Sequence, residues 1–182
     1  MHHLPNLLTL LRFLLVPPVA WLILAEAYGA ALLLFVLAGL SDALDGFLAR
    51  RFAWTSRLGA LLDPLADKLL LIVSCLCLSL VWLIPWWLTL LVLARDVLIV
   101  AGAICYRWRV GFLEISPSRL GKLSTLLQTV LVSVVLLQAS LLPAFAALRL
   151  PLIALVVLGS LASAIDYVRD WTDKYRRHKD ST

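Results

Sequence analysis

Charge is what this 182-residue chain has little of: Asp, Glu, Lys and Arg together make up 15% of it, where soluble domains carry about 25%. In its place 63% of the residues are hydrophobic and the mean hydropathy is +0.99. So much apolar surface has nowhere to go in water, which excludes an ordinary soluble domain. Cysteine is scarce too: Cys75, Cys77 and Cys105 lie in apolar stretches with no ligand-like histidine pattern, and they read as small buried hydrophobes. His2, His3 and His178 sit in polar ends and take no role. No small-residue cleavage site follows the first apolar run, so that run is read as a span, not a secretion signal. No internal repeat, low-complexity tract or second domain is visible, and residues 1–182 are taken as one domain. Basic residues exceed acidic ones, sixteen to eleven, but their placement points to a membrane and to no nucleic acid.

Charge-free runs cover 13–25, 27–41, 69–94, 97–106, 123–148 and 150–165. A helix needs about 20 mostly apolar residues to cross a bilayer, so most of these runs must be extended across charged positions. That gives six transmembrane helices, near 7–25, 30–50, 58–82, 86–107, 120–141 and 148–168, in an all-α integral membrane protein. Trp82, Pro85, Trp86 and Trp87 suit an interfacial aromatic belt with a turn. Arg50, Arg51 and Arg57 lie in one connection, Arg107, Arg109 and Arg119 in another, and Arg169, Lys174, Arg176, Arg177 and Lys179 follow the sixth helix. The opposite connections hold only Arg149. Basic residues stay on the cytoplasmic side, so both termini are expected there. The basic tail reads as an orientation signal attracted to anionic headgroups.

Four carboxylates interrupt this apolar pattern. Asp42 and Asp45 are three apart, Asp63 and Asp67 four apart, and each pair shares a helix face. Both pairs flank the connection 50–57, so antiparallel helices would bring all four together. Ionisable groups in a span cost several kcal/mol and mark function by default. Simple salt bridges to Lys68 or Arg57 would not need four acids. Hard oxygen ligands without His or Cys select Mg²⁺ or Mn²⁺, commonly shared with substrate phosphate. Gly46, Ala49 and Gly59 lie one turn from these acids and clear a channel along their face, with Arg50 at its mouth placed to hold a phosphate. An ion-coupled transporter also uses membrane carboxylates, but near the midplane between repeats; here the acids cluster beside a basic connection.

Written out, the stretch is D-A-L-D-G-F-L-A-R, eight residues, then G-A-L-L-D-P-L-A-D. It resembles, without departure, the signature D-x2-D-G-x2-A-R-x8-G-x3-D-x3-D of the CDP-alcohol phosphotransferase family. The resemblance implies transfer of a phosphate-linked group from a CDP-alcohol to a second alcohol, with release of CMP. It implies two divalent cations, Mg²⁺ or Mn²⁺, held by Asp42, Asp45, Asp63 and Asp67, with Asp67 also the general base. Gly46, Arg50, Ser56 and Gly59 would line the cytidine and pyrophosphate site. The segment P-N-L-L-T-L-L-R from Pro5 to Arg12 is similar to the bacterial phospholipid-synthase branch, and places Asn6, Thr9 and Arg12 near the nucleotide. A homodimer in a bacterial-type cytoplasmic (inner) membrane, with the active site facing the cytoplasm, is implied in the same way.

The acceptor is read from finer features. A-G-L-S-D-A-L-D-G-F-L-A-R, L-D-P-L-A-D-K and A-R-D-V-L-I-V look most like the cardiolipin synthase branch, which joins CDP-diacylglycerol to phosphatidylglycerol. The rival branch makes phosphatidylglycerophosphate from glycerol 3-phosphate and carries G-K-x-K-T on helix five. Here Gly121-Lys122-Leu123-Ser124-Thr125 offers one lysine, which suits a phosphodiester monoanion better than a dianion. Arg119 and Lys122 are candidate headgroup contacts. Arg95 is a third, or is simply paired with Asp96.

Overall fold

In the computed structural model the described residues are 4–52, 57–110, 118–141 and 146–180. Side chains are described over 10–41, 65–102, 118, 120–141, 147–170 and 172. All described secondary structure is helical. The six helices are α1 (Leu4–Leu24), α2 (Tyr28–Phe52), α3 (Arg57–Leu80), α4 (Trp86–Val110), α5 (Arg119–Ser140) and α6 (Ala146–Asp180).

Two tight turns separate helices by the same device. After α1, Glu26 takes φ 60°, while the amides of Glu26 and Ala27 donate to the carbonyls of Ile23 and Leu22. After α3, Trp82 takes φ 59°, and the amides of Trp82 and Leu83 donate to Ser79 and Leu78. Both are Schellman caps, which recover carbonyls that a helix end leaves unmet. Glycine ordinarily fills the left-handed position; a side chain there costs about 1–2 kcal/mol. Pro17 and Pro18 lie inside α1 and remove two helix hydrogen bonds, yet the helix runs through them, as apolar helices in membranes tolerate.

The chain divides into two compact units: residues 1–85 with 132–147, and 86–131 with 148–182. In the first, α1 packs along both α2 and α3. Its buried stripe, Arg12, Val16, Val19 and Ile23, recurs every three or four residues and meets a core including Ala31, Phe35, Ala38, Leu70 and Leu78. In the second, Leu88, Val92, Leu131, Ile153 and Val156 are buried. Large apolar side chains also face outward in both, among them Leu14, Trp21, Leu33, Leu90, Val97 and Leu158. Outward leucine and tryptophan in such numbers suit lipid. Two described segments, Leu120–Ser140 and Ala147–Asp170, are long and apolar enough to cross a membrane, and Leu10–Leu24 and Tyr28–Ser41 are shorter apolar stretches.

The helix positions agree with the expected ones to within a few residues, except at the end of α6. There the expected stop near 168 gives way to a helix reaching Asp180. The basic tail therefore continues the helix. Asp170 precedes Lys174 by four residues and Asp173 precedes Arg177 by four, the order of charges that supports a solvated helix.

Candidate functional site

The acid pattern lies on two helices. α2 carries Asp42, Asp45, Gly46 and Arg50, and α3 carries Gly59, Asp63 and Asp67. The helical backbone gives each acid pair the shared face its spacing implied. The side chains of Asp42, Asp45, Asp63 and Arg50 lie outside the described residues, as does Ser56 altogether. Among the described residues no group of three His, Cys, Asp or Glu side chains comes together.

Asp67 is described, and it has a partner. Arg12 on α1 reaches it with Nη1 3.1 Å from Oδ1. Arg12 is 1% exposed and Asp67 40%, so the cation is sealed while the carboxylate keeps an open side. A buried guanidinium needs a counter-charge, and the packing of α1 on α3 provides it. Sequence reasoning placed Arg12 near the nucleotide and Asp67 among the acids without joining the two. One signal was available. Arg12 stands eight residues into α1 and Asp67 ten into α3, roughly 12 and 15 Å along helices rising 1.5 Å per residue. Charges at matched depth on neighbouring parallel helices seek each other. Asn6 and Thr9 precede Arg12 at intervals of three on α1, a shared face; their side chains lie outside the described residues.

The second unit holds a buried polar seam. Arg95 on α4 donates from Nη1 to Asp96 Oδ1 at 2.8 Å and from Nη2 to Ser163 Oγ on α6 at 2.6 Å. Its pairing with Asp96 is thus a fact of the structure. Ser124 on α5 lies 3.4 Å from Ser160 on α6, and Gln128 Nε2 donates to Ser124 Oγ at 3.3 Å. Nearer the start of α5, the Ser118 amide donates to the Tyr167 hydroxyl at 3.2 Å. Gly121 allows this approach: a Cβ there would stand 3.1 Å from the same hydroxyl. None of these α5–α6 contacts was foreseen, because serine is common in membrane helices for packing alone.

Lys122 is exposed, whereas Ser124 is fully buried. Two residues along a helix are about 200° apart around it, so the two positions face different surroundings. Lysine at Ser124, where the rival branch carries its second lysine, would have to enter a closed seam between α5 and α6. The Arg119 side chain lies outside the described residues.

The donor set fits a hard divalent cation: every acid of the pattern would offer carboxylate oxygens, and Asp67 retains exposure beside its arginine.

Comparison with known proteins bears on both units. The family profile described as CDP-alcohol phosphatidyltransferase matches residues 2–164. A protein of Rattus norvegicus named cardiolipin synthase (CMP-forming) is 38% identical over 145 residues, covering 71% of this chain and 48% of its own. One of the same name from Streptomyces coelicolor is 40% identical over 127 residues, 66% of this chain and 59% of its own. A chloroplastic CDP-diacylglycerol–glycerol-3-phosphate 3-phosphatidyltransferase of Oryza sativa is 36% identical over 155 residues, 75% of this chain and 46% of its own. The chain spans about half the length of the curated relatives it matches.

Proposed function

Because the chain belongs to the CDP-alcohol phosphatidyltransferase family, we propose that it transfers the phosphatidyl group of CDP-diacylglycerol to a hydroxyl of phosphatidylglycerol. The products are cardiolipin and CMP. The observation that carries the reading is the complete acid pattern on α2 and α3, with Asp67 held by the buried Arg12 at 3.1 Å. Relatives named cardiolipin synthase support this choice of acceptor.

In this reading Asp67 takes the proton of the acceptor hydroxyl. The acceptor oxygen forms a bond to the phosphatidyl phosphorus as the bond from that phosphorus to the CMP oxygen breaks, and CMP leaves with the electron pair. Arg12 orients the Asp67 carboxylate, so the proton acceptor stays within reach of the hydroxyl. Asn6, Thr9, Gly46, Arg50, Ser56 and Gly59 would hold the nucleotide and pyrophosphate. Asp42, Asp45, Asp63 and Asp67 would hold two divalent cations, which supply charge neutralisation for the pyrophosphate and the departing CMP.

Lys122, Arg119 and Arg95 would meet the acceptor headgroup. Asp96 already balances the charge of Arg95, which leaves a modest positive excess suited to a phosphodiester monoanion. Six spans, with both termini and the acids on the cytoplasmic side of a bacterial-type inner membrane, give both lipid substrates access from the bilayer. The homodimer expected from the family belongs to the same proposal.

Phosphatidylglycerophosphate synthesis from glycerol 3-phosphate is the second reading, favoured by the resemblance to the Oryza sativa protein. Purified protein given CDP-diacylglycerol with either acceptor, followed by lipid chromatography, separates the two. Cardiolipin supports the first reading; phosphatidylglycerophosphate, with no turnover of phosphatidylglycerol, overturns it.

A further inference from the structure

Arg95 is 7% exposed, and two of its three nitrogens are committed, Nη1 to Asp96 and Nη2 to Ser163. The third, Nε, is buried and has no hydrogen-bond partner among the described residues. A buried donor left unmet is costly and calls for an explanation. The guanidinium is planar and its five N–H groups are fixed relative to one another, so pinning both Nη atoms also fixes where Nε–H points. Arg95 and Asp96 are adjacent on α4, about 100° apart around the helix, so their pairing draws the guanidinium sideways around α4 toward Asp96. Ser163 then holds it from α6.

The seam also gives the level at which this happens. Ser124 on α5 faces Ser160 on α6, and Ser118 faces Tyr167, so the two helices run antiparallel. Three residues back along α5 and three onward along α6 from the Ser124–Ser160 pair set Ser163 level with Gly121, next to Lys122. The bound guanidinium thus stands at the height of the exposed lysine.

We propose that Ser163 is a positioning residue for the acceptor: with Asp96 it holds Arg95 so that Nε–H is presented to an oxygen of the acceptor's phosphate group, at the level of Lys122. This rests on the reading of Arg95 and Lys122 as headgroup contacts, and extends it to a residue on α6 that touches no substrate. A guanidinium whose charge is already balanced contributes direction more than net charge. Losing Ser163 should therefore affect how well the acceptor is held and leave the nucleotide lipid untouched.

The test compares three variants of the full chain, purified in detergent with CDP-diacylglycerol and either phosphatidylglycerol or glycerol 3-phosphate. Ser163→Ala should raise KM for the acceptor about tenfold, with KM for CDP-diacylglycerol unchanged. Ser163→Thr, which keeps a hydroxyl, should restore it. Ser160→Ala removes a hydrogen bond one turn away in the same seam without touching Arg95, and should leave acceptor KM unchanged. Equal effects of Ser163→Ala and Ser160→Ala would overturn the proposal, as would an unchanged acceptor KM or a parallel rise for both substrates. The acceptor used by the unmodified protein judges the proposed reaction separately, because the KM contrast is read on whichever one turns over. Turnover of neither would overturn both.

Discussion

Asp96→Asn keeps the shape of the side chain and removes the charge opposite Arg95. Both partners are nearly sealed, 7% and 8% exposed, and 2.8 Å apart. At a charge separation of about 4 Å, attraction at an effective dielectric of 20 is about 4 kcal/mol. Breaking a buried pair from one side costs about 3–5 kcal/mol, because the remaining charge stays in an apolar setting. Among the described residues Arg95 then keeps the Ser163 hydroxyl, 2.6 Å away, and a neutral hydroxyl offsets little of that cost. The expected loss for Asp96→Asn is therefore about 3 kcal/mol. Arg95→Met should also destabilise, since it leaves the Asp96 carboxylate without this counter-charge. Both together remove the mismatch, so the double variant should be less destabilised than the sum of the singles by about 2–3 kcal/mol. Equilibrium unfolding of the purified protein in detergent measures all three. Additive losses, or an Asp96→Asn variant as stable as the parent, would refute the reasoning: the pair would then be a geometric coincidence in a well-hydrated pocket.

Replacing Asp42, Asp45, Asp63 or Asp67 singly by Asn should abolish CMP release while the protein still inserts in membranes; full turnover in the presence of a chelator would sink the two-cation site. Cysteines introduced at Arg51 and Ser116 should react with impermeant reagents only from the cytoplasmic side, and one at Arg149 only from the other. Labelling of all three from one face would contradict six spans. Glu26→Gly relieves a side chain at φ 60° and should stabilise the chain by about 1 kcal/mol; a lower melting temperature would mean that the glutamate contributes more than the strain it causes.

The composition and the spacing of charges determined the helical plan. Apolar runs separated by basic clusters leave little choice but helices, because a backbone in lipid must satisfy its own hydrogen bonds. The acid pattern was equally legible, since D-x2-D-G-x2-A-R-x8-G-x3-D-x3-D is a matter of local spacing on two consecutive helices. What spacing could not supply was partnership between distant segments. Arg12 and Asp67 are 55 positions apart and meet only because α1 packs on α3. Arg95 and Ser163, separated by 68 positions, meet by the approach of α4 to α6. Ser124 shows the limit most clearly. In the sequence it stands two residues from Lys122 and looks like a neighbour in one binding motif. In the fold it is sealed against Ser160 and Gln128 while the lysine is exposed. Local periodicity says which residues share a helix face; which face is closed by another helix is decided by packing, and that depends on all the chain at once.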